Sequence, residues 1–158
     1  MKSHYSNDYD NLLVVDFDLT GPISYDGLAT TFSFKNWDMM SSYGVTTSLT
    51  SFNNDLIYYD QLSFVRLGEH PKKTSLKTLI MNNILSELKR GDIPILVNSA
   101  FGGLSFYNIN SLVKSGAQYD SKYNEHVCLH LEMAKMGYGK LFLNPSFTVL
   151  HIPKFHHL

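Results

Sequence analysis

The feature that most constrains the fold is a short apolar run that ends in two carboxylates. Residues 12–15 are Leu-Leu-Val-Val, and Asp16, Phe17 and Asp18 follow directly. Four consecutive apolar residues, two of them β-branched, predict a strand that is buried on both faces of a sheet. Because ligands of open α/β sheets gather at the carboxyl ends of strands, we expect the chemistry of the chain at Asp16 and Asp18.

Two aspartates one residue apart point to the same side of an extended backbone. Their charges repel each other unless a cation or a proton lies between them. The simpler interpretation is a strand that ends in an acidic turn, since Asp is a common turn residue. A fully apolar strand that leads into paired carboxylates favours the functional interpretation.

The composition limits the class of protein. A chain of 158 residues with 44% apolar and 17% charged residues is expected to fold, as a single domain over 1–158. The net charge of -1 provides no basic face, so no nucleic-acid partner is predicted. Cys128 is the only cysteine, which excludes an internal disulfide and a cysteine zinc site. Since no signal-peptide core or membrane span is recognisable, we expect a cytoplasmic protein, compatible with a peripheral place at a membrane.

The periodicity of apolar residues predicts strands and helices that interleave along the chain. Strands are predicted at 56–59, 93–97, 105–107, 140–143 and 147–151, the last two around a turn at Asn144 and Pro145. Helices are predicted within 29–43, over 75–90, near 111–114 and over 124–136, the last with Val127, Cys128, Leu131 and Ala134 facing inward. This order predicts an α/β fold with a mixed sheet and flanking helices.

A divalent metal site is the first hypothesis for the paired aspartates. Hard carboxylate oxygens suit Mg²⁺ or Mn²⁺, which complete their coordination with substrate phosphates and water. His151, at the end of the last predicted strand, adds a nitrogen ligand if that strand ends near the same cleft. An incidental histidine near the end of the sequence is the simpler alternative.

The second hypothesis is a phosphatase. Residues 16–20, Asp-Phe-Asp-Leu-Thr, fit the Asp-x-Asp-x-Thr motif of haloacid-dehalogenase-type phosphatases, in which the first Asp is the nucleophile and the second is a general acid. The apolar strand that ends in Ser99 resembles the second motif of that family. The late acidic motif that completes its magnesium site is missing, because Asp120, Glu125 and Glu132 follow no apolar strand.

A third hypothesis is a zinc site on the helix over 124–136. His126 and His130 are one helical turn apart, with Glu125 and Glu132 nearby, and this spacing would let both imidazoles bind one zinc ion. The order His-Glu-x-x-His is absent, and paired helical histidines are commonly surface residues. This hypothesis therefore ranks below the other two.

An ordered set of short motifs resembles glycosyltransferases of the GT-A fold. The motifs are Asp16-Phe17-Asp18 with Gly21, Asp26-Gly27-Leu28, Trp37-Asp38, Tyr58-Tyr59-Asp60, Ser99-Ala100-Phe101-Gly102-Gly103-Leu104, Glu125-His126, Gly137-Tyr138, Asn144-Pro145 and His151. More narrowly, they look like nucleotide-diphospho-sugar transferases related to mannan-polymerase subunits and to similar bacterial and viral enzymes. The resemblance runs over nearly the whole chain and depends on the ordered set, since no single motif is specific.

The resemblance implies a nucleotide-sugar donor whose diphosphate is held by Mn²⁺ or Mg²⁺ on Asp16 and Asp18. His151 would match the late metal-binding histidine of many such enzymes. Gly102 and Gly103 would let the backbone approach the donor sugar or the acceptor.

The resemblance also implies residues that act on the acceptor, which would be a glycan or another hydroxyl compound. Glu125 would lie near the acceptor hydroxyl, as general base if the enzyme inverts configuration. From its own position, Asp60, another carboxylate at a predicted strand end, is a second catalytic candidate. Trp37 is a candidate for the lining of the donor or acceptor cleft, although a single tryptophan is more often a core anchor.

The resemblance covers only part of a GT-A domain. Such domains place a βαβ half that binds the nucleotide ahead of the Asp-x-Asp strand, and the residues before Leu12 are too few for it. We therefore expect the base and ribose pocket to be largely missing, and a second copy or a partner subunit to complete the fold. A degenerate module that only associates with another subunit is the non-enzymatic alternative.

Overall fold

The computed structural model describes residues 9–47, 56–71 and 88–152, which form a mixed α/β structure. Its elements are β1 (Asn11–Val15), α1 (Tyr25–Ser33), β2 (Met39–Thr47), β3 (Leu56–Tyr58), β4 (Val65–Arg66), β5 (Ile95–Ser99), β6 (Leu104–Asn108), α2 (Ile109–Ser115), α3 (Glu125–Lys135) and β7 (Leu141–His151). The predicted mixed sheet with flanking helices is confirmed. The helix predicted over 75–90 lies outside the described residues except for 88–90, which are not helical.

Seven strands form one sheet in the order β1-β6-β2-β7-β5-β4, with β3 paired to β2. β2 and β7 run parallel, whereas the other pairs are antiparallel. β2 is central, because its residues 39–41 pair with β6 and its residues 45–47 pair with β3. The end of β1 and the end of β3 are therefore brought to the same region of the sheet.

The core lies on both faces of this sheet. One cluster includes side chains of α3 and of the central strands, namely Met39, Tyr58, Val97, Tyr107, Leu129, Met133, Leu141 and Leu143. The other consists of Leu104, Phe106, Phe147 and Val149, against which Leu28 of α1 and Trp37 pack. In the described part of the chain, no helix is long and apolar enough to cross a bilayer.

Gly102 and Gly103 form the turn between β5 and β6. Both residues have positive φ, +63° and +86°, in the region that favours glycine. A Cβ at Gly102 would overlap the carbonyl oxygen of Ser42, and a Cβ at Gly103 would lie 2.9 Å from Leu19 and 3.1 Å from Tyr59. The two glycines therefore let the turn approach β2 closely and let Tyr59 pack beside it.

The strand predicted at the paired aspartates exists as β1, but the prediction that it is buried on both faces is wrong. β1 is at the edge of the sheet and pairs with β6. Leu12, Leu13 and Val15 are 42%, 39% and 42% exposed. An apolar run predicts a strand, but its position in the sheet depends on which partners reach it.

Two other predictions of secondary structure are wrong in part. The helical segment predicted within 29–43 is divided, because α1 ends at Ser33 and residues 39–43 belong to β2. The last two strands are one strand, β7, whose pairing with β2 shifts between Ser42 and Tyr43. Pro145 lies in this irregular stretch, where its lack of an N–H group costs no ladder hydrogen bond.

The helices near 111–114 and over 124–136 are confirmed as α2 and α3, but the predicted inward face of α3 is partly wrong. Ala134 is exposed and Leu131 is half-buried. The buried residues of α3 are His126, Val127, Cys128, Leu129, His130 and Met133. Two histidines therefore lie on the inner face. His130 has hydrogen-bond partners in the core, whereas Nδ1 of His126 has none among the described residues.

Candidate functional site

Side chains at the ends of three strands meet at one end of the sheet. Asp16 and Asp18 follow β1, Tyr59 follows β3, and His151 is the last residue of β7. We call these four residues the Tyr59 cluster. The backbone N–H of Asp16 donates to the carbonyl of Gly103 at 2.9 Å, which fixes the end of β1 against the glycine turn. The last strand thus ends near the paired aspartates. The sequence analysis required this position for His151 to add a nitrogen ligand to the site.

The hydroxyl of Tyr59 joins the two aspartates. It lies 3.3 Å from Oδ2 of Asp16, and 3.2 and 3.3 Å from Oδ1 and Oδ2 of Asp18. Because a hydroxyl has one hydrogen, it can donate to only one of these three oxygens at a time. Tyr59 was not among the site residues predicted from the sequence, and its place beside Asp60 in the Tyr-Tyr-Asp motif was the signal that could have identified it.

The ring of Tyr59 also positions His151. The two rings are stacked, with centroids 4.3 Å apart and planes 19° apart. Nε2 of His151 lies 3.8 Å from Oδ2 of Asp18, and Nδ1 lies 3.4 Å from the hydroxyl of Thr46. The imidazole is therefore held with one nitrogen toward Asp18 and the other toward β2.

The two carboxylates of the Tyr59 cluster, Asp16 and Asp18, repel each other. The pKa of Asp16 is raised, mainly by burial and next by the negative charge of Asp18, and Glu125 adds to this effect. The hydrogen bond from Tyr59 and the charge of His151 lower the pKa of Asp16, but they do not outweigh burial and repulsion. The site consequently favours an added positive charge.

Asp60 and Glu125 belong to the same electrostatic environment. Burial raises the pKa of Asp60 to about 7; its hydrogen bond with Ser63 opposes this, and the charges of Asp16 and Glu125 add to it. Asp60 also has a φ of +59°, a left-handed conformation that is uncommon for residues other than glycine and is enriched at functional sites. Both predicted catalytic carboxylates are thus close enough to Asp16 to interact with its charge.

The donor set of the Tyr59 cluster can be compared with the needs of a metal ion. Within residues 9–47, 56–71 and 88–152, no group of three or more His, Cys, Asp or Glu side chains is arranged to hold a metal. Mg²⁺ does not need such a cage, because it commonly binds one or two carboxylates together with substrate phosphates and water. Asp16 and Asp18 provide two hard carboxylates whose repulsion a cation would relieve. The residues present therefore fit a hard divalent cation.

Trp37 lies in a different environment from the other predicted site residues. Its ring is 6.3 Å from that of Phe32, and its indole N–H donates to the carbonyl of Phe34 at 3.2 Å. In the part of the chain that is described, no hydrogen bond or ring contact joins Trp37 to the acidic residues. The structure therefore does not bring Trp37 to the Tyr59 cluster.

The histidine pair on α3 does not have the geometry of a zinc site. His130 is fully buried, with Nδ1 2.8 Å from the hydroxyl of Ser99 and Nε2 2.8 Å from the hydroxyl of Tyr107. Both ring nitrogens are occupied, so none is free for a zinc ion shared with His126, whose ring stacks on Phe101. We call Ser99, Tyr107 and His130 the His130 network. Burial lowers the pKa of His130 to about 3, so its ring is neutral.

Comparison of the sequence with models of known protein families gave no match, and comparison with curated proteins gave none either. The function of the site is therefore inferred from its own residues.

Proposed function

We propose that this chain is a metal-dependent glycosyltransferase of the GT-A type, which transfers a sugar from a nucleotide-diphosphate-sugar donor to a hydroxyl acceptor. The observation that carries the proposal is that the carboxylates of Asp16 and Asp18 converge on one point at the ends of three strands. His151 lies beside them, 3.8 Å from Asp18. The order of the motifs along the chain provides the second line of support.

Asp16 and Asp18 are the residues that would hold Mn²⁺ or Mg²⁺, with His151 as the nitrogen ligand next to them. A divalent cation bound there offsets the negative charge that develops on a departing diphosphate. The half-buried position of Asp16 strengthens its interaction with positive charge, because water screens a half-buried carboxylate less than an exposed one.

Glu125 and Asp60 are the carboxylates that would act on the acceptor. We assign removal of the acceptor proton to Glu125, the first residue of α3. Asp60 supports this step, because a group whose pKa is about 7 exchanges a proton readily near neutral pH. Gly103 lies directly against the ring of Tyr59, where a Cβ would come within 3.1 Å, and Gly102 lies against β2.

Association with a second copy or a partner subunit is part of this proposal. The edge strand β1 supports it, since its Leu12, Leu13 and Val15 are partly exposed and Phe17 is fully exposed. An apolar sheet edge of this kind is typical of a surface that pairs with another chain.

Calorimetry with Mn²⁺ and a panel of nucleotide-diphosphate sugars tests the proposal. We expect the protein to bind a nucleotide sugar only with Mn²⁺ or Mg²⁺, and we expect Asp16→Asn and Asp18→Asn to abolish binding of the metal. Asp92→Asn is the matched control, because Asp92 is an exposed aspartate outside the Tyr59 cluster.

Two results would replace the proposal with an alternative. Hydrolysis of a simple phosphoester that Asp16→Asn abolishes would indicate a phosphatase with Asp16 as nucleophile. Absence of metal and nucleotide binding, together with stable oligomers, would indicate a module that only associates with another subunit.

A further inference from the structure

We propose that Tyr59 guards the metal position: its hydroxyl lies in the place that faces both aspartates, and the hydroxyl withdraws when a cation binds. This inference rests on the proposed function, because it takes Asp16 and Asp18 as the metal-binding pair. It assigns Tyr59 a positioning role that the motif resemblance does not contain.

The argument begins with the three oxygens around the Tyr59 hydroxyl. One oxygen of Asp16 and both oxygens of Asp18 lie 3.2–3.3 Å from it. A cation that bridges the two carboxylates through these oxygens would lie in the space that the hydroxyl faces, since Mg²⁺ binds oxygen at about 2.0–2.1 Å. The hydroxyl and the cation therefore compete for one position.

The hydroxyl is a weak occupant of that position. Hydrogen bonds between oxygens are usually about 2.7–2.8 Å long, so the three contacts of Tyr59 are long, and only one of them can contain the proton. The hydroxyl has a single proton for two carboxylates, so most of the negative charge of Asp16 and Asp18 remains uncompensated. A divalent cation provides enough positive charge for both carboxylates, which the single hydroxyl proton cannot do. We therefore expect the cation to displace the hydroxyl.

The surroundings of Tyr59 determine how it can withdraw. Its backbone N–H donates to the carbonyl of Gly44 at 2.9 Å, so the main chain is anchored to β2. Its ring lies between His151, on which it stacks, and Gly103, where a Cβ would come within 3.1 Å of the ring. We expect the side chain to move while the backbone stays in place, and the stacked imidazole of His151 to shift with it.

Tyr59→Phe separates the hydroxyl from the ring. The variant keeps the stack on His151 but has no hydroxyl in the position of the cation, so we expect it to bind Mn²⁺ up to about tenfold more tightly than the unaltered protein. Binding is measured by titration calorimetry with Mn²⁺ alone, and by the electron paramagnetic resonance signal of free Mn²⁺. Tyr25→Phe is the matched control, because Tyr25 is exposed and lies outside the cluster.

Tyr59→Leu tests the role of the ring. This variant removes both the hydroxyl and the stack that holds His151, so we expect its affinity for Mn²⁺ to be lower than that of Tyr59→Phe. Equal affinities of Tyr59→Leu and Tyr59→Phe for Mn²⁺ would show that the ring of Tyr59 does not position His151. Thermal unfolding of each variant establishes that it is folded before binding is compared.

The possible results separate this inference from the proposed function. If the unaltered protein binds Mn²⁺ and Tyr59→Phe binds it equally or less tightly, the guarding role is overturned while the metal site stands. If neither protein binds Mn²⁺, the metal site of the proposed function fails, and the role of Tyr59 fails with it.

Discussion

The His130 network and the Tyr59 cluster are two polar groups that differ in how completely their hydrogen bonds are formed. In the His130 network each ring nitrogen has one partner at 2.8 Å, and all three residues are fully buried. In the Tyr59 cluster one hydroxyl is shared by three carboxylate oxygens at 3.2–3.3 Å, Asp16 is half-buried and Asp18 is exposed.

This difference in hydrogen bonding indicates that the His130 network stabilises the core and that the Tyr59 cluster binds a ligand. A buried polar network whose members are all paired makes the core specific and rigid, and it has nothing left to offer a ligand. A pair of carboxylates that share one weak donor is a poor structural element, because it keeps repulsion within the folded state. Such an arrangement is expected where a ligand supplies the missing charge, since binding sites commonly sacrifice stability for function.

The largest expected effect comes from breaking the His130 network. His130→Ala leaves the hydroxyls of Ser99 and Tyr107 buried without a partner and opens a cavity, so we expect the free energy of unfolding to fall by about 3 kcal/mol or more. Urea unfolding near neutral pH measures the loss. His70→Ala, at an exposed histidine, is the control and should change stability by less than about 0.5 kcal/mol. A similar small change for His130→Ala would mean that the network does not stabilise the core.

The features of the fold and the site that could be predicted from the sequence depend on residues that are neighbours in the chain. The apolar run before Asp16 predicted the strand β1, and the periodicity over 124–136 predicted the helix α3. The sequence made the role of His151 conditional on the last strand ending near the aspartates, and the structure places His151 3.8 Å from Asp18.

The parts that it did not predict depend on residues far apart in the chain. His130 can face inward only because Ser99 and Tyr107, 31 and 23 positions earlier, offer hydrogen bonds in the core. The hydroxyl of Tyr59 reaches Asp16 and Asp18 across more than 40 positions. Periodicity measures hydrophobicity along one segment and contains no information about such partners.

Asp60→Asn compares the pH dependence of the His130 network with that of Asp60, the carboxylate next to Tyr59. Between about pH 4.5 and 6.5 the folded protein keeps a proton on Asp60, whose pKa is raised from 3.8 to about 7, so Asp60 stabilises the fold less as the pH rises. His130, whose pKa is lowered from 6.5 to about 3, has the opposite effect, because only the unfolded chain binds its proton. The two contributions should nearly cancel in the unaltered protein.

The variant removes the contribution of Asp60 and leaves that of His130. We therefore expect the stability of Asp60→Asn to rise with pH more steeply than that of the unaltered protein, by up to about 1.4 kcal/mol per pH unit. Urea unfolding of both proteins over this range measures the two slopes. Equal slopes would show that Asp60 is not kept protonated by its buried position.

The smallest expected effect on stability comes from Asp18→Asn, although it breaks the Tyr59 cluster. The substitution removes the charge that repels Asp16 and leaves the carboxylate of Asp16 as the stronger acceptor for the Tyr59 hydroxyl, because a neutral amide oxygen accepts more weakly than a carboxylate. It also removes the partner of His151 at 3.8 Å, but the side chain of Asp18 is 68% exposed, so that contact contributes little. Near neutral pH we expect unfolding free energy to change by no more than about 1 kcal/mol, toward greater stability, while Mn²⁺ binding is lost. Urea unfolding and calorimetry on the same preparation measure both quantities. A destabilisation as large as that of His130→Ala would make the Tyr59 cluster a structural network like the other, and the distinction between a completed core and a site kept for a ligand would no longer hold.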